Sequence, residues 1–258
     1  MGTLEGKVVF LTGGGGSIAR GMVVALAKEG ADIAVVELDE SRGQEAARVV
    51  ASHGRRAIVV SCDVSQRAEV DAAVAETVAQ LGGVHVLINN ATGVTIEATN
   101  LAFMEHDESV FDRILSVDVK GTVNCMQACF PHFQAQQRGS IVNFSSGAGT
   151  ERMAGFAAYA TAKEGIRALT GVAAREWGEH NINVNVVCPS AMTPGIEHYL
   201  ATHPDPNYAE QLFQDRPIKR LGDTERDIGA VVAFLASDAA SYLTGHTLRV
   251  DGGSTIHD

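Results

Sequence analysis

Short apolar runs rich in valine and isoleucine alternate along this chain with longer amphipathic stretches. The amphipathic patterns at 18–30, 44–54 and 68–82 predict helices. Strand–helix alternation indicates βαβ units, so we expect an α/β fold with a parallel sheet. Because the apolar runs do not alternate with polar residues, helices should cover both faces of the sheet. The runs interpreted as strands are 7–12, 32–37, 57–62, 84–89, 140–145, 182–188 and 246–250.

The alternation is interrupted by one segment of irregular polarity at about 190–224. Five of the six prolines lie between position 189 and the end of this segment. A long insertion after a strand of an open α/β sheet is a common place for ligand binding. We therefore expect a substrate-binding lid with short helices there, and a surface segment without a role is the alternative. No linker or repeat interrupts the chain, so residues 1–258 are predicted to form one domain.

The charge balance restricts the class of partner. The chain has 258 residues, 45% of them apolar, and a net charge of −11. An acidic protein of this kind is not expected to bind nucleic acid or an anionic membrane surface. No apolar run approaches the roughly 18 residues of a membrane span, and the start of the chain lacks the features of a signal peptide. We expect a cytoplasmic protein.

The cysteines and histidines show no metal-binding pattern. The cysteines are Cys62, Cys125, Cys129 and Cys188, and none forms a CxxC pair. The simplest interpretation is apolar packing in a reduced cytosolic protein. The nine histidines are scattered without HExxH or similar spacing, so no metal site is predicted.

The stretch TGGGGSIARG, residues 12–21, joins the first predicted strand to the first predicted helix. A glycine turn there lets the backbone approach a pyrophosphate and directs helix N–H groups at its charge. Gly13 to Gly16 keep the turn free of Cβ atoms. The turn alone is weak evidence, and it gains weight from Glu37, an acid at the end of the second strand. Together they predict a dinucleotide site, with a tight turn and a solvated acid as the alternative.

Glu37 favours one of the two nicotinamide dinucleotides. A carboxylate at this position can accept hydrogen bonds from the adenosine ribose hydroxyls and would repel a 2′-phosphate. Asp39 adds negative charge, and residues 31–41 contain no arginine or lysine. The sequence therefore predicts NAD as the cofactor rather than NADP.

Two positions of the loop differ from the glycines of a dinucleotide fingerprint. Ser17 is expected at or near the helix N-cap, where its hydroxyl could donate to a phosphate oxygen. Ala19 adds one methyl group where the helix approaches the sheet, and slightly wider packing would accommodate it. We therefore expect the loop to bind the cofactor, with Gly13, Gly16, Ser17 and Ile18 lining it.

A tyrosine and a lysine four residues apart form the candidate acid/base pair. Tyr159 and Lys163 would share one face of a helix. A phenol carries protons poorly at pH 7, but a nearby ammonium favours the phenolate. The pair could therefore act as general acid or base toward a carbonyl or alcohol. Ser146 lies thirteen residues upstream at the end of a predicted strand, where its hydroxyl could hold the same substrate oxygen.

Seven motifs in order make the chain resemble a short-chain dehydrogenase/reductase of about 250 residues with a YxxxK pair, and the likeness covers nearly the whole chain. The motifs are TGGGG (12–16), CDV (62–64), NNA (89–91), SS (145–146), YATAK (159–163), CPSAMTP (188–194) and LTGHTLRVDGG (243–253).

The resemblance implies a doubly wound, Rossmann-like sheet of seven strands in the order 3-2-1-4-5-6-7. It implies hydride transfer between a nicotinamide and a C–OH/C=O centre, with Tyr159 as acid/base, Lys163 on the nicotinamide ribose and Ser146 orienting the substrate. It also implies a homo-oligomer, a tetramer or a dimer. Further cofactor contacts implied by the resemblance are Asp63 and Val64 at the adenine, Asn90 at the adenosine ribose, and Met192 and Thr193 near the carboxamide.

Three motifs depart from the family pattern. The usual NNAG has Thr92 as its last residue, and the usual PGxxxT has Ser190 and is one residue shorter, which affects the expected role of Thr193. In SVDVKG, Asp118 takes the place of a catalytic asparagine that holds a water beside the lysine. An ionised aspartate cannot donate a hydrogen bond, and it brings negative charge toward Lys163. We therefore expect an activity optimum displaced to alkaline pH.

Two other functions are weighed against a secondary-alcohol dehydrogenase. Ser17-Ile18-Ala19 resembles the SIA of enoyl-thioester reductases, whose tyrosine lies seven residues before the lysine. That position here is Phe156, which has no hydroxyl. A non-catalytic NAD-binding sensor or scaffold is the second alternative, and the intact Ser146, Tyr159 and Lys163 argue against it.

The substrate is the least determined feature of the sequence. The candidate contact segments 92–96, 150–153 and 192–212 mix apolar residues with acids such as Glu97, Glu151 and Glu197. Acids near the opening of a site disfavour anionic substrates. A small, neutral, moderately apolar alcohol or ketone is therefore predicted, and a polyol remains an alternative.

Overall fold

Seven parallel strands form the single sheet of the protein, in the order β3-β2-β1-β4-β5-β6-β7. The computed structural model describes residues 2–95, 101–202, 205, 207–214 and 216–256. The strands are β1 (Val8–Thr12), β2 (Asp32–Val36), β3 (Ala57–Val60), β4 (Val86–Asn89), β5 (Gly139–Phe144), β6 (Ile182–Pro189) and β7 (Thr247–Val250). The predicted doubly wound parallel sheet and its strand order are confirmed.

Helices pack on both faces of this sheet. Within the described residues they are α1 (Ser17–Lys28), α2 (Glu40–Ser52), α3 (Arg67–Leu81), α4 (Glu108–Ile114), α5 (Gly121–Gln136), α6 (Gly147–Thr150), α7 (Ala157–Trp177), α8 (Pro194–Thr202), α9 (Tyr208–Gln214) and α10 (Ala230–Ala236). A π-helical turn, Leu115–Lys120, joins α4 to α5, and another, Thr224–Gly229, precedes α10.

Two apolar cores result, one on each face. In β1, Val9 and Leu11 pack with α1, α2 and α10, whereas Val8 and Phe10 pack with α3, α5 and α7. Successive side chains of a strand point to opposite faces, so an unbroken apolar strand supplies both cores. No helix in the described ranges is long and apolar enough to cross a bilayer.

The strand ends differ from the predicted ones at the carboxyl edge. β3 ends at Val60, two residues earlier than predicted, because the chain turns at Asp63. The Asp63 carboxylate accepts a hydrogen bond from the Ser65 amide (2.9 Å) in this turn. The candidate lid contains α8 and α9, and a parallel bridge between Ala191 and Gly222 joins its beginning to its later part. Of the predicted substrate segments, positions 96, 203, 204 and 206 lie outside the described residues, as does Glu97.

Candidate active site

The glycine turn lies between β1 and α1 at the carboxyl edge of the sheet. Gly13 has a φ of 60°, and a Cβ there would lie 2.9 Å from Cα of Ala91. The side-chain Nδ2 of Asn90 donates to the carbonyl oxygens of Gly13 (2.9 Å) and Thr12 (3.2 Å). These bonds fix the turn against the end of β4. Asn90, predicted at the adenosine ribose, therefore uses its side-chain N–H groups to hold the loop.

Helix α1 begins one residue earlier than an N-cap at Ser17 would require. Gly16 is the N-cap, with extended backbone, and Ser17 is the first helical residue and exposed. Ser17 is therefore adjacent to the N-cap but is not the N-cap itself. Gly16 adopts the cap geometry, and no side chain caps the helix. The N–H groups of the first turn of α1 are the kind of donors that bind a pyrophosphate. Ala19 is fully buried in the core, so its methyl group is accommodated.

Glu37 lies directly beside the glycine turn. Its Oε2 accepts a hydrogen bond from the Gly15 amide (3.0 Å), and its Oε1 accepts from the Asp39 amide (3.2 Å). The chain therefore places an acid, a Cβ-free turn and a helix N-terminus together, as a dinucleotide cofactor requires. The chemistry of these residues fits such a group, and a Cβ at Gly13 or Gly15 would collide with Ala91 or Arg42, so the close packing keeps the turn free of side chains.

Arg42 is a neighbour of this region that the sequence reasoning missed. It lies one residue beyond the stretch 31–41, which contains no arginine or lysine. A Cβ on Gly15 would lie 2.6 Å from the Arg42 Cβ, so the arginine packs on the turn. Its Nε donates to Asp39 Oδ2 (3.0 Å). Hydrogen bonds from Ser41 and Arg42 lower the pKa of Asp39 to about 2, so this partner of the guanidinium stays charged.

Asp63 and Val64 follow β3 at the same edge. The Val64 carbonyl accepts from the Asn124 side chain (2.8 Å), and a Cβ on Gly121 would lie 2.6 Å from Val64 Cγ2. These contacts hold the segment against α5. Its place at the carboxyl edge is compatible with the adenine contact that the resemblance implies.

Helix α7 carries Tyr159 and Lys163, and β5 leads directly to Ser146. Ser145 Oγ donates to the Lys163 carbonyl (2.9 Å), which ties the end of β5 to this helix. Ser146 is the N-cap of α6, and its Oγ accepts from the Ala148 amide (3.1 Å). The Lys163 Nζ lies 5.2 Å from the centroid of the Tyr159 ring. The packing thus brings the tyrosine and the lysine together, with Ser146 at the end of the adjoining strand.

Lys163 is held by a buried ion pair with Asp118. Its Nζ lies 2.9 Å from Asp118 Oδ2, and the two side chains are 4% and 0% exposed. Nζ also donates to the Phe144 carbonyl (3.3 Å). Burial lowers the pKa of Lys163, but the charge of Asp118, the nearby Tyr159 and the hydrogen bond to Asp118 together outweigh it, so the pKa is raised above its ordinary value. Lys163 therefore stays an ammonium, with a carboxylate as its direct partner.

Asp118 is in turn held by the segment after β4. The Thr92 Oγ1 lies 2.9 Å from Oδ2 and 3.1 Å from Oδ1, and the Gly93 amide donates to Oδ1 (2.7 Å). Thr92 was grouped with the substrate contacts in the sequence analysis. Its hydroxyl is directed instead to Asp118, because the π-helical turn brings the carboxylate against this segment.

The segment after β6 places Met192 and Thr193 at the edge of the site. The Met192 amide donates to the Gly222 carbonyl (2.8 Å), and Thr193 Oγ1 accepts from the Ile196 amide (3.3 Å) at the start of α8. Ser190, the residue that replaces the family's glycine, accepts from Arg216 Nη1 (2.9 Å). This arginine also donates to the Asp251 carbonyl (3.1 Å), so it fastens the candidate lid to β6 and β7.

The acids that were expected near the substrate are partly neutralised. Glu151 Oε1 accepts from Arg249 Nη1 (2.9 Å), whereas Met153, two residues later, is 49% exposed.

Across the described ranges no group of three or more histidine, cysteine or acidic residues could hold a metal ion. All four cysteines are free and buried, which agrees with the packing role predicted for them.

Comparisons with known proteins identify relatives of this chain. A family model described as enoyl-(acyl carrier protein) reductase matches residues 14–255. The chain is 38% identical over 260 residues to a 12alpha-hydroxysteroid dehydrogenase from a Clostridium species, covering 98% of each chain.

Solved structures with the same fold are also dehydrogenases or reductases. NAD+-bound xylitol dehydrogenase is 32% identical, with a TM-score of 0.88, and the match covers 97% of this chain and 99% of that one. Levodione reductase is 30% identical, with a TM-score of 0.90, and the match covers 98% of this chain and all (100%) of the other.

Proposed function

The chain belongs to the short-chain dehydrogenase/reductase family, and we propose that it uses NAD to interconvert a neutral secondary alcohol and its ketone, with Tyr159 as the acid/base. Oxidoreduction of a secondary alcohol or ketone is common to its relatives. The observation that carries the residue assignment is the buried Lys163 ammonium beside the Tyr159 ring.

Each of the three residues has a distinct task. In the oxidation direction, Tyr159 Oη takes the proton of the substrate hydroxyl, and in reduction it returns this proton to the carbonyl oxygen. Lys163 favours the phenolate by its charge and offers an N–H to the ribose next to the nicotinamide. Ser146 Oγ already accepts from an amide, so its own proton can be donated to the substrate oxygen. When bound, the nicotinamide accepts or supplies the hydride.

The preference for NAD rests on Glu37 and on the pairing of Arg42. Glu37 lies against the glycine turn and would repel a 2′-phosphate. Arg42, which packs on the glycine turn, could attract that phosphate, but its guanidinium is paired with Asp39. The cofactor contacts then fall to the turn residues Gly13, Gly16, Ser17 and Ile18, to Asp63, Val64 and Asn90 on the adenosine side, and to Lys163, Met192 and Thr193 near the nicotinamide.

A neutral, moderately apolar substrate is favoured by the residues along the opening. Met153, Met192 and Ile196 are exposed, and one of the acids, Glu151, is paired with Arg249. Residues 190–224 are proposed as the lid over this opening. The 12alpha-hydroxysteroid named for a relative is consistent with such a substrate, as is a cyclic ketone.

The two alternatives receive less support. An enoyl reductase of the type considered from the sequence needs a hydroxyl at Phe156, whose ring centroid lies 6.5 Å from that of Tyr159. A sensor without catalysis would have no need of a buried, charged Lys163 beside the tyrosine.

A panel of secondary alcohols and ketones, assayed with NAD and with NADP at the nicotinamide absorbance, tests the proposed function. We expect turnover of cyclic or steroidal alcohols with NAD, and its loss in Tyr159→Phe. Turnover of crotonyl thioester with NADH, or equal rates for Tyr159→Phe and the parent, would replace the proposal by one of the alternatives.

We also propose a homo-oligomer, a tetramer or a dimer, in the cytoplasm. Exposed Phe234 on α10 and Val172 on α7 offer apolar surface for association, and the free cysteines suit a reducing compartment. Light scattering after gel filtration distinguishes these states from a monomer.

A further inference from the structure

Two departures from the family pattern, Thr92 and Asp118, lie in direct contact although 26 residues separate them in sequence. The Thr92 hydroxyl accepts from the Val94 amide (3.3 Å), so its single proton is directed to the Asp118 carboxylate. The Gly93 amide is the second donor to this carboxylate, and Lys163 is the third. A glycine at position 92 would leave the carboxylate with only two of these donors.

We propose that Thr92 is a positioning residue for the acid/base pair: by donating to Asp118 it moderates the negative charge presented to Lys163 and so sets the pH at which Tyr159 works. This proposal rests on the proposed function, in which Tyr159 and Lys163 form the pair. It extends that function to a residue whose side chain touches neither of them in the described contacts.

The proposed effect passes from Thr92 to Asp118, then to Lys163, and finally to the phenolate. Asp118 is fully buried, so water does not screen its charge from Lys163. A carboxylate next to an ammonium reduces the ammonium's effect on the nearby phenolate. The Thr92 hydroxyl dipole points its positive end at the carboxylate and opposes part of that negative charge. Removing the Thr92 hydroxyl should therefore increase the negative charge that Asp118 presents to Lys163 and weaken the effect of Lys163 on the phenolate. Removing the carboxylate charge should strengthen that effect.

Other titratable groups near the pair do not substitute for Asp118. Cys188 on β6 faces Lys163, and burial raises the pKa of this thiol, so it stays neutral. Burial likewise raises the pKa of Cys125 and Cys129 on α5. On α4, which packs against the π-helical turn, the charged residues are exposed to solvent: Glu108, Asp112 and Arg113. Within the described residues, Asp118 is the buried anion in contact with Lys163.

The test is the pH–rate profile of alcohol oxidation in a set of variants, with Thr95→Val as the matched control in the same segment. Asp118→Asn should move the midpoint of the profile to lower pH, by about one unit or more, because it removes a negative charge that opposes the effect of Lys163. Thr92→Val should move it the opposite way, to higher pH, by about half a unit. Thr92→Ser, which keeps the hydroxyl, should restore the parent midpoint.

A double variant makes the result specific. In Asp118→Asn/Thr92→Val, the midpoint should equal that of Asp118→Asn, because no carboxylate charge remains for the hydroxyl to moderate. An unchanged or acid-shifted midpoint in Thr92→Val, or a shift equal to that of Thr95→Val, overturns the role of Thr92. The proposed function fails separately, if Tyr159→Phe retains the parent's turnover.

Discussion

Asp118 and Lys163 form an ion pair that is almost completely removed from solvent, with Oδ2 2.9 Å from Nζ. The pair has a carboxylate where the family pattern has an amide, and this carboxylate contacts the lysine directly. The ion pair is expected to affect both the free energy of unfolding and the pH dependence of activity.

Lys163→Met should lower the free energy of unfolding by about 3 kcal/mol, because it leaves a buried carboxylate without its counter-charge. Lys163→Met/Asp118→Asn should recover most of that loss, since no isolated charge remains. Urea unfolding of both variants measures this difference. Lys28→Met, which breaks an exposed pair with Glu225, is the control and should change stability by about 1 kcal/mol or less. A double variant no more stable than Lys163→Met would contradict the account.

Tyr159→Phe should reduce kcat by about 10²- to 10⁴-fold, the usual contribution of a positioned acid or base. NADH binding, followed by fluorescence, should stay within about twofold, since the ring and its packing are kept. The same change at Tyr242, which is fully exposed, is the control. Equal losses in the two variants would show that the hydroxyl at 159 has no special task.

Glu37→Gln should lower the NAD to NADP ratio of kcat/KM by about tenfold or more, because it removes one charge that binds the ribose hydroxyls and repels a 2′-phosphate. Adding Arg42→Ala to that variant should reduce its activity with NADP, since Arg42 is the nearest cation on the turn. Glu40→Gln, an exposed acid at the start of α2, serves as the matched control. An unchanged cofactor ratio in Glu37→Gln would remove the basis for NAD preference.

Ser17→Gly should raise the NAD dissociation constant by about two- to fivefold, the loss of one exposed hydrogen bond to a phosphate. The effect is small because Gly16, not Ser17, caps α1, so the helix N–H groups remain in place. Isothermal titration with NAD measures it. A constant equal to the parent's would assign phosphate binding to the backbone alone.

Cys62 gives the stability of the protein a distinct dependence on alkaline pH. Burial, with the nearby acids Glu69 and Asp63, raises the pKa of this thiol from 9.0 to about 12. The folded state therefore keeps the proton that the unfolded state releases above pH 9, and stability present below pH 9 is lost between pH 9 and 12. In that window the parent's unfolding free energy should fall faster than that of Cys62→Ala, by about 1.4 kcal/mol per pH unit. Urea unfolding in reductant at pH 8, 9.5 and 10.5 compares the two slopes, and parallel slopes would contradict the prediction.

The sequence by itself determined the strand–helix order and the doubly wound parallel sheet. Unbroken apolar strands require cover on both faces, and the amphipathic period of the intervening segments supplies it. It also determined the relation of Tyr159 to Lys163, because residues four apart on a helix share a face whatever surrounds them. These features depend on local periodicity, which can be counted along the chain.

Only the tertiary structure decided the partners of these residues. Thr92 donates to Asp118, Arg42 packs on Gly15, and Arg216 holds Ser190, each pair joining different elements of the chain. Such contacts depend on how the elements pack and turn, as when the π-helical turn brings Asp118 against the segment after β4. Spacing within one helix or strand carries no record of these long-range contacts. The sequence could therefore name the candidate residues, while the fold alone assigned their hydrogen bonds and charges.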